Sequence, residues 1–162
     1  MADKFAFRTH NGNFLSAEGG GGFDVVADRN AVGSWEVFTV VRLRPVFKPW
    51  YTYLWRGGVR DYYVAIRAAN GQYLCAEGGG SVGDDEGGKL MANRDQIGAW
   101  ETFKMEWVTR PGDNEYGYPL TLMSQLFSYV CAEGGGGGEV AANRSVAGPW
   151  ETFLTVEPPH PL

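Results

Sequence analysis

The stretch Val64-Ala-Ile-Arg-Ala-Ala-Asn-Gly-Gln-Tyr-Leu-Cys-Ala-Glu77 aligns without a gap on two others: Phe5-Ala-Phe-Arg-Thr-His-Asn-Gly-Asn-Phe-Leu-Ser-Ala-Glu18 and Leu120-Thr-Leu-Met-Ser-Gln-Leu-Phe-Ser-Tyr-Val-Cys-Ala-Glu133. Each copy runs into glycines, at Gly19 to Gly22, Gly78 to Gly80 and Gly134 to Gly138. Next come Ala27-Asp28-Arg29, Ala92-Asn93-Arg94 and Ala142-Asn143-Arg144. Each copy closes with Gly33-Ser-Trp35-Glu36-Val-Phe38, Gly98-Ala-Trp100-Glu101-Thr-Phe103 or Gly148-Pro-Trp150-Glu151-Thr-Phe153. Separate motifs that recur in one order identify an internal repeat, and that repeat decides the architecture.

Within a copy, Phe5/Phe7, Val64/Ile66 and Leu120/Leu122 alternate with other residues at period two, as half-buried strands do. Asn11-Gly12 and Asn70-Gly71 are expected to supply the positive φ values of a two-residue hairpin. Leu126-Phe127 replaces that pair in the third copy, so a turn of another type is expected there. A second strand carries Leu15, Leu74 and Val130 to the core, the glycines turn the chain, and two more strands follow. Units of four strands and roughly 45 to 55 residues cannot each bury a face alone, so they share one core. A six-stranded barrel closed by three hairpins leaves no exposed sheet edge and fits the pattern, which is a β-trefoil. A three-bladed propeller is the alternative, but propellers have at least about four blades. The 162 residues then form one domain, with lobes at approximately 1–58, 59–115 and 116–162. The aromatic connection containing Trp50, Tyr51, Tyr53 and Trp55 packs on the barrel or offers a further contact surface.

The composition is that of a soluble globular protein, with 44% apolar and 20% charged residues. A net charge of −5, with no run of Lys or Arg, disfavours nucleic acid and, less firmly, anionic membranes and acidic polysaccharides. The N-terminus moves from Met1 straight into the first strand pattern, so no signal peptide is expected, and no apolar run approaches transmembrane length. If the chain derives from a larger secreted protein, a missing signal says nothing about its native compartment.

Catalytic and metal chemistry find little support. His10 and His160 lie at opposite ends and outside the repeat, and no Cys/His cluster has zinc spacing, so neither metal nor cofactor is expected. Cys75 and Cys131 occupy equivalent places on separate arms, which argues against a disulfide. Gly88-Lys89 is followed by Leu90 rather than Ser or Thr, so the glycine tracts are turns and not a phosphate loop. The pairs Glu18/Glu36, Glu77/Glu101 and Glu133/Glu151 could oppose each other as glycosidase carboxylates do. Yet an acid and a base need divergent environments, and these pairs recur three times in near-identical surroundings. Threefold repetition suits multivalent binding instead.

Phe14/Tyr73/Tyr129, Ser16/Cys75/Cys131 and Glu18/Glu77/Glu133 share one strand face at period two, with Leu15 and its equivalents on the other. If the leucine face is core, the glutamates point outward or into a pocket. In the last strand, Glu36, Glu101 and Glu151 share the face of the core phenylalanines and read as structural, which turns Trp35, Trp100 and Trp150 toward the surface. An exposed indole stacks on a pyranose face, while Glu, Asn and Arg hydrogen-bond its hydroxyls. The other reading has Trp capping the barrel end and Glu bridging Arg29, Arg94 or Arg144 to pin the hairpin.

The tract Gln72-Tyr73-Leu74-Cys75-Ala76-Glu77, the Ala-Asn-Arg strand and the closing Trp-Glu-Thr-Phe resemble the fascin-like β-trefoils over nearly the whole chain. More narrowly, they are similar to the family 92 carbohydrate-binding modules of bacterial polysaccharide-degrading enzymes. That resemblance implies a non-catalytic lectin for neutral β-glucan with β-1,3 or β-1,6 linkages, monomeric and excised from a larger multidomain enzyme. The compartment is extracellular in the parent protein if the chain is such a module. It implies one site per lobe: Glu18 with Trp35, Glu77 with Trp100 and Glu133 with Trp150, helped by Asp28, Asn93 and Asn143. The broader resemblance leaves an actin- or protein-binding domain as the alternative. Departures are Asp28 for Asn, Ser16 for Cys, an acidic insertion from Ser81 to Glu86, and loss of the Asn-Gly hairpin in the third copy.

Overall fold

The computed structural model describes residues 2–46, 61–81, 88–108 and 118–156. The segment Trp50 to Trp55, His160 and most of the Ser81 to Glu86 insertion lie outside the described residues. The first repeat contributes β1 (Ala2–Arg8), β2 (Phe14–Ala17), β3 (Val25–Arg29) and β4 (Phe38–Pro45). The second contributes β5 (Tyr62–Arg67), β6 (Tyr73–Ala76), β7 (Leu90–Arg94) and β8 (Phe103–Trp107). The third contributes β9 (Tyr118–Met123), β10 (Tyr129–Ala132), β11 (Val140–Arg144) and β12 (Phe153–Val156).

Antiparallel pairing runs from β1 to β4, β5, β8, β9 and β12, and β12 pairs again with β1. The ring of pairings returns to its start, so six strands close a barrel without free edges. The other six form the hairpins β2–β3, β6–β7 and β10–β11. Single bridges Asp24 to Met91, Lys89 to Ala141 and Val26 to Glu139 join the three hairpins into a cap. This is the β-trefoil.

Burial follows the repeat. Phe38, Phe103 and Phe153 open the last strand of each copy and are fully buried with Phe7, Ile66, Leu122, Leu15, Leu74 and Val130. Each such large side chain contributes about 1.5–3 kcal/mol through the hydrophobic effect. Ala27, Ala92 and Ala142 are also fully buried, where one hairpin's backbone bonds to the next: Ala92 N–H to Phe23 O, Ala142 N–H to Gly88 O, and Ala27 N–H to Gly138 O. Small side chains there let three backbones converge at interior packing density.

The first hairpins differ from the expected two-residue form. Gly12 N–H donates to Thr9 O at 3.0 Å, and Thr9 N–H to Asn13 O at 2.7 Å. This is a three-residue loop in which only the last residue needs positive φ. Gly12 and Gly71 have φ 93, whereas Asn11 and Asn70 do not enter the left-handed region. The Asn side chains serve the turn instead: Asn70 Oδ1 accepts from Gln72 N–H at 2.9 Å. The third copy was expected to turn differently and does not. Phe127 N–H bonds Ser124 O at 3.0 Å, and Ser124 N–H bonds Ser128 O at 2.8 Å, in the same pattern. Phe127 therefore takes φ 61, the one non-glycine residue with positive φ among the described residues.

Candidate functional site

Two short 3₁₀ turns face each other outside the second strand of each repeat. One is Glu18–Gly20, Glu77–Gly79 or Glu133–Gly135. The other is Ser34–Glu36, Ala99–Glu101 or Pro149–Glu151. Two strand readings are thereby corrected. The first glutamates open a turn rather than extend the strand, and Trp35-Glu36 and its equivalents precede the last strand rather than belong to it. The physical reason is local. The carboxylates of Glu36, Glu101 and Glu151 accept from the backbone N–H of Gly33, Gly98 and Gly148 at 2.7, 2.8 and 2.7 Å, capping a turn that period-two reading passes over. These three glutamates are buried, and the Thr102 and Thr152 hydroxyls close the same turn on Gly98 O and Gly148 O. The structural reading of Glu36, Glu101 and Glu151 therefore stands, on a different geometry.

The outer face of the second strand is covered as well. Ser16, Cys75 and Cys131 are fully buried, so of the two directions open to their face, outward or into a pocket, these residues do not take the outward one. The two cysteines are free. Burial pushes the Cys75 thiol up to about 12, reinforced by Glu101, and pushes Cys131 up in the same direction, reinforced by Glu151.

One arginine organises the polar groups of each repeat. Arg94 donates from Nη2 to Glu77 Oε1 at 2.7 Å and from Nη1 to Asn93 Oδ1 at 2.5 Å, with Nε 3.7 Å from the buried Glu101. Arg144 donates to Glu133 Oε1 at 2.5 Å and to Asn143 Oδ1 at 2.7 Å. Arg29 donates to Glu18 Oε1 at 2.6 Å and to Asp28 Oδ1, with Nε 3.9 Å from Glu36. A planar fork with several donors is suited to hold three acceptors at once. Partial desolvation opposes the Arg29 charge, but Asp28 and Glu18 more than offset it and raise its pKa. With Asp28 where the other repeats have Asn93 and Asn143, the first site carries two net negative charges and the others one each.

Trp35, Trp100 and Trp150 are 41%, 43% and 41% exposed. Their indole edges lie on the second glycine of the facing turn. A Cβ at Gly20, Gly79 or Gly135 would meet Nε1 at 3.2 Å in every repeat. Each indole is thus held at its edge with much of the ring in solvent. Beside Trp100, the surface is a depression of ≈ 630 Å³ lined by Arg94 to Glu101.

All twelve candidate residues fall into three such clusters, one per repeat. Sequence reasoning missed a fourth component. The backbone N–H groups of Asn70, Leu126 and Asn11 donate to Gly20 O, Gly79 O and Gly135 O at 2.8, 2.9 and 2.9 Å. The hairpin tip of each following repeat therefore docks beside the preceding repeat's Trp. His10, read as a plain surface residue, has Cδ2 3.4 Å from the place a Gly135 Cβ would occupy, next to Trp150. The repeat alignment contains these tip positions, but only the cyclic packing brings them to another copy's turn.

The backbone is similar to solved β-trefoils. A designed threefold-symmetric protein, ThreeFoil, superposes with TM-score 0.69 at 15% identity, over 96% of this chain and 99% of the other. The SDF2-like protein from Arabidopsis thaliana gives 0.66 at 9% identity, over 96% and 92%. A ricin B-like lectin from Macrolepiota procera, solved with lactose, gives 0.59 at 16% identity, over 96% of each chain. No family model matches the chain, and neither does any curated protein. Identities this low speak for the fold.

Proposed function

We propose that this chain is a non-catalytic, multivalent carbohydrate-binding module for neutral β-glucan with β-1,3 or β-1,6 linkages, acting as one three-lobed domain with a site in each lobe. The observation that carries the reading is the threefold recurrence of a half-exposed indole, held at its edge against a glycine, beside a Glu–Arg–Asn/Asp cluster. The free indole face suits the apolar face of a pyranose. Glu18, Glu77 and Glu133 keep lone pairs beyond their arginine bonds, and Asp28 and Asn93 flank them for adjacent hydroxyls, whereas Asn143 is buried and donates to Glu133. Net negative charge at every site favours neutral over acidic sugars.

The paired carboxylates fit scaffold better than catalysis. Glu36, Glu101 and Glu151 are committed to capping, and in the first two repeats an arginine lies between the carboxylates. The lactose-bound ricin B-like lectin supports sugar binding by a trefoil of this kind. The resemblance to family 92 modules supports a place in an extracellular parent enzyme.

The test is retention on soluble and insoluble glucans of β-1,3, β-1,6, β-1,4 and α linkage, for the wild type and for a Trp35/Trp100/Trp150→Ala variant. Selective retention of the wild type, lost in a variant with an unchanged melting curve, is the expected result. Wild type that binds no glycan would overturn the function, and retention by the variant would overturn the sites.

A further inference from the structure

We infer that Phe127, from the following repeat, is a second stacking platform at the Trp100 site, and that this site thereby binds two contiguous glucosyl residues. The inference rests on the glucan-binding reading and deepens it for one site.

Phe127 sits at φ 61 in a turn position filled by Gly12 and Gly71 in the other repeats. A bulky side chain is disfavoured there because its Cβ crowds the backbone, and glycine is the ordinary solution. Core packing cannot offset that strain, since the Phe127 side chain is 75% exposed. Residues held in such backbone conformations cluster at active sites and ligand clamps.

The preceding residue, Leu126, is 56% exposed and donates its N–H to Gly79 O at 2.9 Å. A Cβ at Gly79 would lie 3.2 Å from Trp100 Nε1 and 3.3 Å from Leu126 Cγ, so leucine and indole flank the same glycine. Phe127 continues directly from that contact. The equivalent tips are Ala69-Asn70-Gly71 beside Trp35 and His10-Asn11-Gly12 beside Trp150; the first offers no ring and the second an imidazole, while Phe23 lies against Gly19 on the turn that holds Trp35. Trp100 also borders the depression that includes Ile97, itself 38% exposed. Indole and leucine flank Gly79 beside the Arg94 cluster, and the exposed Phe127 follows Leu126 in the chain, an apolar succession that suits a chain of sugars presenting one CH face after another.

The experiment isolates the site in a Trp35→Ala/Trp150→Ala background. Binding of β-1,3- and β-1,6-linked gluco-oligosaccharides of two to six units is measured by calorimetry, with and without Phe127→Gly. The expected result is an affinity rise of about tenfold from the shortest to the longer chains, equivalent to one added stacking contact, and its loss in Phe127→Gly. The same substitution relieves the left-handed strain, so Tm should rise by about 2–4 °C while affinity falls. Phe127→Asn, which also tolerates that conformation, repeats the test. In a Trp100→Ala/Trp150→Ala background, leaving the Trp35 site, Phe127→Gly should leave the length dependence unchanged. An unchanged length step in Phe127→Gly and Phe127→Asn overturns the inference while leaving glucan binding intact. Absence of binding in wild type and every background overturns both.

Discussion

The Trp100 indole edge and the Gly79 Cα are packed so closely that a Cβ at Gly79 would lie 3.2 Å from Nε1 and 3.3 Å from Cδ1. The glycine-rich turn is therefore a shelf for the indole as well as a bend in the chain. Gly79→Ala should lower affinity at this site and reduce stability by about 1–2 kcal/mol, since φ is +81 and a side chain is disfavoured there. Gly78→Ala is the control: its φ is +68, but nothing lies within 4 Å of the added carbon. Both variants should melt early, and only Gly79→Ala should also shift the tryptophan emission and weaken glucan binding.

Ser16 stands where the other repeats have Cys75 and Cys131, and its buried hydroxyl has no hydrogen-bond partner among the described residues. A buried hydroxyl left unpaired costs about 1–3 kcal/mol, whereas a thiol behaves as a small apolar group. Ser16→Cys should raise the urea midpoint by an amount equivalent to about 1 kcal/mol without altering the m-value. A fall in stability would mean that the hydroxyl has a partner.

Glu77 and Glu101 flank the same arginine and should respond oppositely to truncation. Glu101 is buried and accepts from Gly98 N–H at 2.8 Å, so Glu101→Ala strips the cap that places Trp100 and should cost about 1–3 kcal/mol. Glu77 is 42% exposed in its pair with Arg94, and solvent screening limits that pair to below about 1 kcal/mol. Glu77→Ala should therefore leave the denaturation midpoint nearly unchanged and abolish binding at its own site. Denaturation and glucan retention, run on the two variants together, separate scaffold from contact.

The two thiols provide a pH test. Burial raises Cys75 from 9.0 to about 12 and moves Cys131 the same way. The native state thus holds thiol protons that the unfolded chain releases. Their stabilising effect is complete below about pH 9 and is lost as pH rises toward 12. Native protein at pH 8 should react with a disulfide reagent only through unfolding, so the labelling rate should track denaturant concentration. Fast labelling under native conditions would contradict the burial of both sites.

The barrel was legible because hydrophobic phase survives translation from copy to copy. Phe38, Phe103 and Phe153 occupy equivalent positions, and burial at equivalent positions is what a shared core demands. The outward direction of Trp35, Trp100 and Trp150 was reached from the right core residues through the wrong element. A three-residue 3₁₀ turn has no periodicity to read, and its signature is a buried glutamate reaching back to a glycine N–H. The Phe127 turn was misread for a related reason. Turn chemistry expresses preference, and the two strands it joins in the third copy enforce the same loop on a residue that disfavours it.

The sequence alone determined that three like units share one core, which residues fill it, and that each unit presents one tryptophan and one Glu–Arg–Asn/Asp set. Those properties depend on spacing within a unit, and spacing is linear. Only the tertiary structure decided that Asn70, Leu126 and Asn11 dock on Gly20, Gly79 and Gly135 of the preceding unit. Closing the barrel sets which neighbour follows which, so each tryptophan's surroundings are completed by a different tip: Asn70 with Ala69, Leu126 with Phe127, or Asn11 with His10. Three similar units thereby give their tryptophans three different surroundings, because the hairpin tips come from the next unit in the ring and add to differences such as Asp28 within a unit.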